Sequence, residues 1–191
     1  MDIVLASSSP RRKELLKNLN IDFKVIPSDI EEDMIPNEKP EIMAMRLAFT
    51  KALDIANKNQ NSTVIGADTI VVLNDNVLGK PKDENDAFNM LKNLSNTYHQ
   101  VITGISVINL SEEKKIVDYV VSDVKFKKID DEKIKRYIDT KEPLDKAGAY
   151  GIQGYGSLLV EEIKGDYFNI VGLPISKLDE ILLKYFHIQI L

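Results

Sequence analysis

Residues 64–72 read Val64-Ile65-Gly66-Ala67-Asp68-Thr69-Ile70-Val71-Val72. The apolar, largely β-branched residues on both sides define buried strand, and one carboxylate interrupts them. A lone carboxylate there is costly to bury unless it is paired, hydrogen-bonded or bound to a metal. Asp68 therefore reads in two ways. It is either a functional acid, or a cap on a local turn between strands at 64–67 and 69–73, which Gly66 and Thr69 would suit.

Strand and helix patterns alternate around this stretch. Residues 3–6 form a short apolar strand, followed by Ser9 as a helix cap with Pro10 at the first helical position. Leu15, Leu16 and Leu19 give that helix an apolar face, and Asn20 is its stop signal. A second strand covers 23–26, an acidic loop 29–33, and Pro40 opens a long helix to about residue 57. Ile42, Met45, Leu47, Ala48, Ala52 and Ile55 are expected on its buried face.

Beyond the opening stretch, Asn74-Asp75-Asn76 reads as a hairpin turn, and Asp83 caps a helix with Ala87, Met90, Leu91 and Leu94 on one stripe. Long alternating segments at 101–110 and 116–126 pair as antiparallel strands. Asp130 and Asp131 start a short helix carrying Ile134, Tyr137 and Ile138. A glycine-rich loop at 148–156 leads into a strand at 158–163, a turn at Gly165-Asp166 and a short strand at 168–171. A last helix follows Leu173-Pro174. The pattern predicts an α/β fold with a curved mixed sheet, flanking helices and two lobes around a cleft, all in one domain spanning 1–191.

The totals narrow the chemistry. The chain has 191 residues and a net charge of −5, which argues against a polymeric nucleic acid as partner and confines any polyanion site to a local basic pocket. It has no cysteine and only His99 and His187, which excludes thiolate and multi-histidine metal sites and a cysteine nucleophile. Any metal would be a hard cation held by carboxylates. No apolar run approaches a membrane span and the start lacks the pattern of a signal peptide, so a cytoplasmic protein is expected.

Several side chains then compete for roles. Glu31 and Glu32 either join Asp68 at a Mg²⁺ or Mn²⁺ site or form a solvated acidic loop. Lys80, in Leu78-Gly79-Lys80-Pro81, and Lys51, on the long helix, are phosphate ligands or ordinary surface lysines. Arg11 and Arg12 oppose the dipole of the helix they open, so a negative group, phosphate or acidic side chain, is expected to compensate them. Gln153 reads a base edge with its amide or decorates a tight loop. Neither a dinucleotide fingerprint nor a P-loop is present. Carboxylates, cations, an anion-ready helix start and no covalent nucleophile suit direct attack of water on a phosphoric anhydride.

The motifs LASSSPRRKELL (5–16), GADTIVV (66–72), LGKP (78–81), DKAGAYGIQG (145–154) and VGLP (171–174) occur in the order and spacing seen in Maf proteins, and the chain resembles that family over almost its whole length. The resemblance implies an inosine triphosphate pyrophosphatase-like fold with a nucleotide cleft, and hydrolysis of a nucleoside triphosphate to the monophosphate and pyrophosphate with a divalent cation. It implies Asp68 as proton acceptor, Glu32 as a metal-site acid, Lys51 and Lys80 as phosphate-handling lysines, and Ser8, Arg11 and Arg12 as the N-terminal phosphate loop. It also implies a homodimer.

Within the family, the subgroup cleaving dTTP and UTP carries Arg, Thr and Gln at the positions of Arg11, Thr69 and Gln153. Relatives resembling 7-methyl-GTP pyrophosphatases carry Trp, Gln and Glu there. The expected activity is therefore cleavage of dTTP and UTP, with modified pyrimidine nucleotides as further candidates. A nucleotide-binding regulator of cell division without turnover, and a purine-directed pyrophosphatase, are the alternatives.

Overall fold

The computed structural model describes residues 2–31, 33 and 35–191, so Glu32 lies outside the described residues. The elements follow in chain order as β1 (Ile3–Leu5), α1 (Pro10–Asn18), β2 (Phe23–Val25), α2 (Pro40–Lys58), β3 (Thr63–Leu73), β4 (Asn76–Leu78) and α3 (Glu84–Leu94). After them come β5 (Tyr98–Asn109), β6 (Lys114–Phe126), α4 (Asp131–Asp139), β7 (Val160–Lys164), α5 (Tyr167–Val171) and α6 (Ile175–Phe186). Short 3-10 turns cover Glu142–Asp145, Ala147–Ala149 and Gly154–Leu159.

The sheet runs β2-β1-β3-β5-β6-β7, with β4 paired to β3. β1 is parallel to both β2 and β3, while β3–β4 and β6–β7 are antiparallel. Residues 110–113 join β5 to β6, a connection too short for a crossover, so that pair is antiparallel as well. The expected mixed α/β sheet is what the chain forms. β3 is continuous through Asp68, so the turn reading of that residue is overturned.

Local chemistry explains most boundaries. Ser9 caps α1 by accepting from the Arg12 backbone N–H, and Asn20 follows in the left-handed region. Asp83 and Asp130 cap α3 and α4 by accepting from Asp86 N at 2.8 Å and Lys133 N at 2.7 Å. Asn74 and Asp75 both have positive φ, the geometry of a tight hairpin turn joining β3 to β4.

Some expectations fail. Residues 168–171 are helical: the Asp166 side chain accepts from Phe168 N at 2.8 Å and starts α5, and Gly172, with φ of +122°, follows its end. The strand expected from 158 begins at Val160, because the preceding residues close a 3-10 turn that leaves Leu158 outward. On α2 the buried face is Met43, Ala44, Leu47, Ala48, Ala52, Ile55 and Ala56, which leaves Ile42 exposed and Met45 half-buried. Small residues there let the helix approach the sheet more closely than an Ile42–Met45 stripe would.

The chain divides into two compact units. The first comprises Met1–Asp68, Thr103–Val120 and Gly172–Leu191. Its core gathers Val4, Ala6, Ala52, Ile55, Ala56, Val64 and Ile108, with Phe49 and Leu53 packed on the margin. Each buried Val or Ile in it contributes about 1.5–3 kcal/mol relative to exposure. The second comprises Thr69–Ile102 and Val121–Val171. There α3 packs on α4 through stripes that include Ala87, Leu91 and Leu94 on one helix and Ile134, Tyr137 and Ile138 on the other. Among the described residues, no helix is long and apolar enough to cross a membrane.

Candidate active site

In the first unit, Asp68 is 8% exposed within β3, and its Oδ1 accepts from Lys51 Nζ at 2.5 Å. Two glycines explain how a helix lysine reaches mid-strand. A Cβ on Gly66 would lie 2.4 Å from the Ala48 carbonyl oxygen, and one on Gly104 would lie 2.1 Å from that of Ala44. Both strands therefore admit the α2 backbone where a side chain would otherwise stand. Gly66 and Asp68 share one face of β3 by the two-residue period of a strand, and Lys51 lies between Ala48 and Ala52 on the approaching helix. Lys51 is thus not the solvated lysine its surface alternative required.

Five residues earlier on α2, Arg46 grips Glu38 with two parallel bonds, Nε to Oε1 at 2.8 Å and Nη2 to Oε2 at 2.6 Å. It also donates to the Asp33 carbonyl at 3.0 Å. The Arg46 hydrogen bonds hold the Glu38 carboxyl below the usual carboxylate range. The acidic loop is thereby tied to the helix that carries Lys51.

The serine turn is organised by Arg12 and Ser7. Ser7 is buried, and its Oγ accepts from Ser9 N at 3.2 Å and from Arg12 Nη1 at 3.1 Å. Arg12 Nε donates to the Gly172 carbonyl at 2.7 Å, across 160 residues of chain. That carbonyl supplies part of the negative compensation a cation at the start of α1 requires. Ser8 is exposed and Arg11 half-buried on the same turn.

In the second unit, Thr69 continues β3 and is half-buried, while Lys80 follows β4 and is exposed. The Gly79 carbonyl accepts from Gly148 N at 3.0 Å, which fastens the segment bearing Lys80 to the glycine-rich stretch. Gln153 lies half-buried within that stretch. Tyr150 of the same stretch shares a hydrogen bond with His99 at 2.8 Å, and both rings pack edge-on against Phe126. Burial pushes His99 down to about 4 and the Tyr150 phenol upward.

The structure thus brings Asp68 and Lys51 together, and it sets Ser8, Arg11 and Arg12 on one turn. Sequence reasoning missed Ser7, Gly172, the Arg46–Glu38 pair and the His99–Tyr150 pair. Ser7 and Gly172 lie inside the serine-turn and VGLP motifs, but nothing local marks them as partners. For a metal, the described residues hold no group of three or more His, Asp or Glu. Asp68 supplies one buried carboxylate. That fits a cation such as Mg²⁺, which takes one or two carboxylates together with substrate phosphates and water.

Within the first unit, a buried carboxylate gripped by a lysine and an arginine-braced serine turn define a candidate site for a phosphorylated substrate. The sequence model of the Maf family, described as Maf-like protein, matches residues 2–185, and the chain belongs to that family. It is 58% identical over 190 residues to a dTTP/UTP pyrophosphatase of Clostridioides difficile strain 630, covering 100% of this chain and 98% of that protein. It is 54% identical over 193 residues to one of Thermoanaerobacter sp. strain X514, covering 100% of each. A third, from Alkaliphilus metalliredigens, is 52% identical over 190 residues, covering 99% of this chain and 98% of the relative. Among solved structures, a HAM1 protein from Coxiella burnetii is similar at a TM-score of 0.48 and 18% identity, over 66% of this chain and 73% of that one. At that score the similarity carries no chemical argument.

Proposed function

We infer that this chain is a single-domain, cytoplasmic nucleoside triphosphate pyrophosphatase acting on dTTP and UTP. The observation that carries the reading is the buried Asp68 carboxylate, held in β3 by Lys51. Relatives alike over their full length and named dTTP/UTP pyrophosphatases support it, as do Arg11, Thr69 and Gln153 at the subgroup positions.

In the proposed reaction, a water oxygen attacks the α-phosphorus, Asp68 takes the water proton, and the bond from the α-phosphorus to the α–β bridging oxygen breaks. The products are the nucleoside monophosphate and pyrophosphate. Lys51 orients the Asp68 carboxylate and contributes positive charge beside it. Arg11, Arg12 and Lys80 offset the charge of the triphosphate and of the departing pyrophosphate, with Ser8 donating to a phosphate oxygen. Asp68 and Glu32 would hold a Mg²⁺ or Mn²⁺ ion, which when bound lowers the charge on the phosphates and polarises the phosphoryl oxygen. Gln153 and Thr69 favour a pyrimidine with a free imide edge. A homodimer is part of the same proposal.

A panel of nucleoside triphosphates assayed for pyrophosphate release with Mn²⁺, Mg²⁺ and chelator tests the activity, the substrate preference and the cation requirement. Preferential, cation-dependent cleavage of dTTP and UTP is the expected result. Faster cleavage of purine nucleotides overturns the substrate assignment, and binding without turnover overturns the enzyme.

A further inference from the structure

The loop that carries Gln153 is tied down by a carboxylate outside every sequence motif of the chain. Glu142 opens the 3-10 turn after α4, and its side chain collects three donors. Tyr137 Oη donates to Oε1 at 2.9 Å, Gly156 N donates to the same oxygen at 3.0 Å, and Tyr155 N donates to Oε2 at 3.0 Å. Tyr137 Oη in turn accepts from Gly151 N at 3.2 Å. Residues 152–154 are therefore pinned at both ends, with Gln153 in the middle.

The backbone fits this anchor closely. Gly154 has φ of +74°, and a Cβ on it would lie 2.7 Å from Glu142 Oε2. A Cβ on Gly156 would lie 2.1 Å from the Gly151 carbonyl oxygen. Only an acceptor at both side-chain oxygens suits two backbone N–H groups and a phenol together. Glutamine would turn one acceptor into a donor facing a donor. Burial pushes the Tyr137 phenol upward, so it stays protonated and can donate to Glu142 while accepting from Gly151.

We propose that Glu142, acting with Tyr137, is a positioning residue for base selection: it holds the 151–156 loop so that the Gln153 amide meets the imide edge of thymine or uracil in one orientation. The inference rests on the proposed role of Gln153 in reading the base. To read the base, the amide must meet N3 and the C4 substituent at hydrogen-bond distance and angle, and a backbone free to shift would let it settle on thymine, uracil or cytosine alike. Holding Gly151 and Gly156 through Tyr137 and Glu142 limits that shift.

The test measures kcat, KM and thermal midpoint for Glu142→Gln, Glu142→Asp, Tyr137→Phe and Gln153→Ala with dTTP, UTP and dCTP. Glu142→Gln should raise KM for dTTP about tenfold, change kcat less than about threefold, and lower the dTTP-to-dCTP ratio of kcat/KM about tenfold. Glu142→Asp should recover part of that ratio, and Tyr137→Phe should shift it the same way by less. If Glu142→Gln fails to fold, Tyr137→Phe decides. An unchanged dTTP-to-dCTP ratio in the folded variants, with activity lost equally on every substrate or only the thermal midpoint lowered, overturns the proposal. Gln153→Ala tests the underlying role separately. An unchanged ratio in that variant overturns base reading by Gln153, while the effect of Glu142 on the ratio is still measured in its own variants.

Discussion

Lys51 Nζ lies 2.5 Å from Asp68 Oδ1, with only 16% and 12% of the two side chains exposed. The pair joins the middle of α2 to the middle of β3, and neither group is well solvated. Removing one charge leaves the other in a poorly hydrated place. Asp68→Asn should lower pyrophosphate release from dTTP by about 10²–10⁴-fold. Lys51→Met should destabilise the fold by about 1–3 kcal/mol, less than a fully buried pair because water still reaches both groups. The double variant should recover part of that loss in a denaturant-melt cycle, whereas strictly additive losses would show that the two residues do not act on each other.

Gly66 is the residue that lets the pair form. Gly66→Ala forces a methyl against the Ala48 carbonyl, which is helix backbone and cannot rotate away. The variant should lose about 1–3 kcal/mol or more of stability, and should lose activity by pushing Lys51 from Asp68. Melting curves and turnover measured together check this; unaltered values for both would mean the helix adjusts freely.

Arg11 and Arg12 are neighbours with different work. Arg12 bridges Ser7 and the Gly172 carbonyl, so Arg12→Ala should destabilise by about 1–3 kcal/mol besides impairing turnover. Arg11→Ala should leave the melt within about 0.5 kcal/mol and change the preference among nucleoside triphosphates. Calorimetry alongside the substrate panel separates the two. Equal thermal shifts in both variants would remove the distinction.

His99 should make the fold acid-sensitive. Burial lowers its pKa from 6.5 to about 4, so between those values the unfolded chain binds a proton that the folded chain refuses. Stability is then full above about pH 6.5 and falls as the pH drops toward 4, by about 3 kcal/mol in all. Urea titrations across this range should show the slope in the native chain and lose it in His99→Phe. A flat native profile between pH 6.5 and 4.5 would contradict the burial argument.

Much of the fold was legible because its signals are local. Ser9, Asp83 and Asp130 cap helices through bonds spanning three residues, and Asn74-Asp75 turns a hairpin by its own backbone preference. Residues 168–171 show where local signals fail. Their apolar composition fits strand or helix equally, and the Asp166 cap together with the anchoring of Asn169 to Val101 O and Ser122 Oγ made them helical.

The candidate site was legible as a set of residue types, because an acid in an apolar strand and cations after a serine turn are conspicuous without knowing their partners. Sequence by itself determined the α/β class, the capped starts of α1, α3 and α4, and that Asp68 is a carboxylate set in an apolar strand. Only the tertiary structure decided that Asp68 lies in unbroken strand and is matched by Lys51, that Arg12 answers to a carbonyl 160 residues away, and that Glu142 holds the loop bearing Gln153. Those partners depend on how closely one backbone can approach another. Gly66 and Gly104 set that distance by lacking a side chain, and no period in the sequence records it.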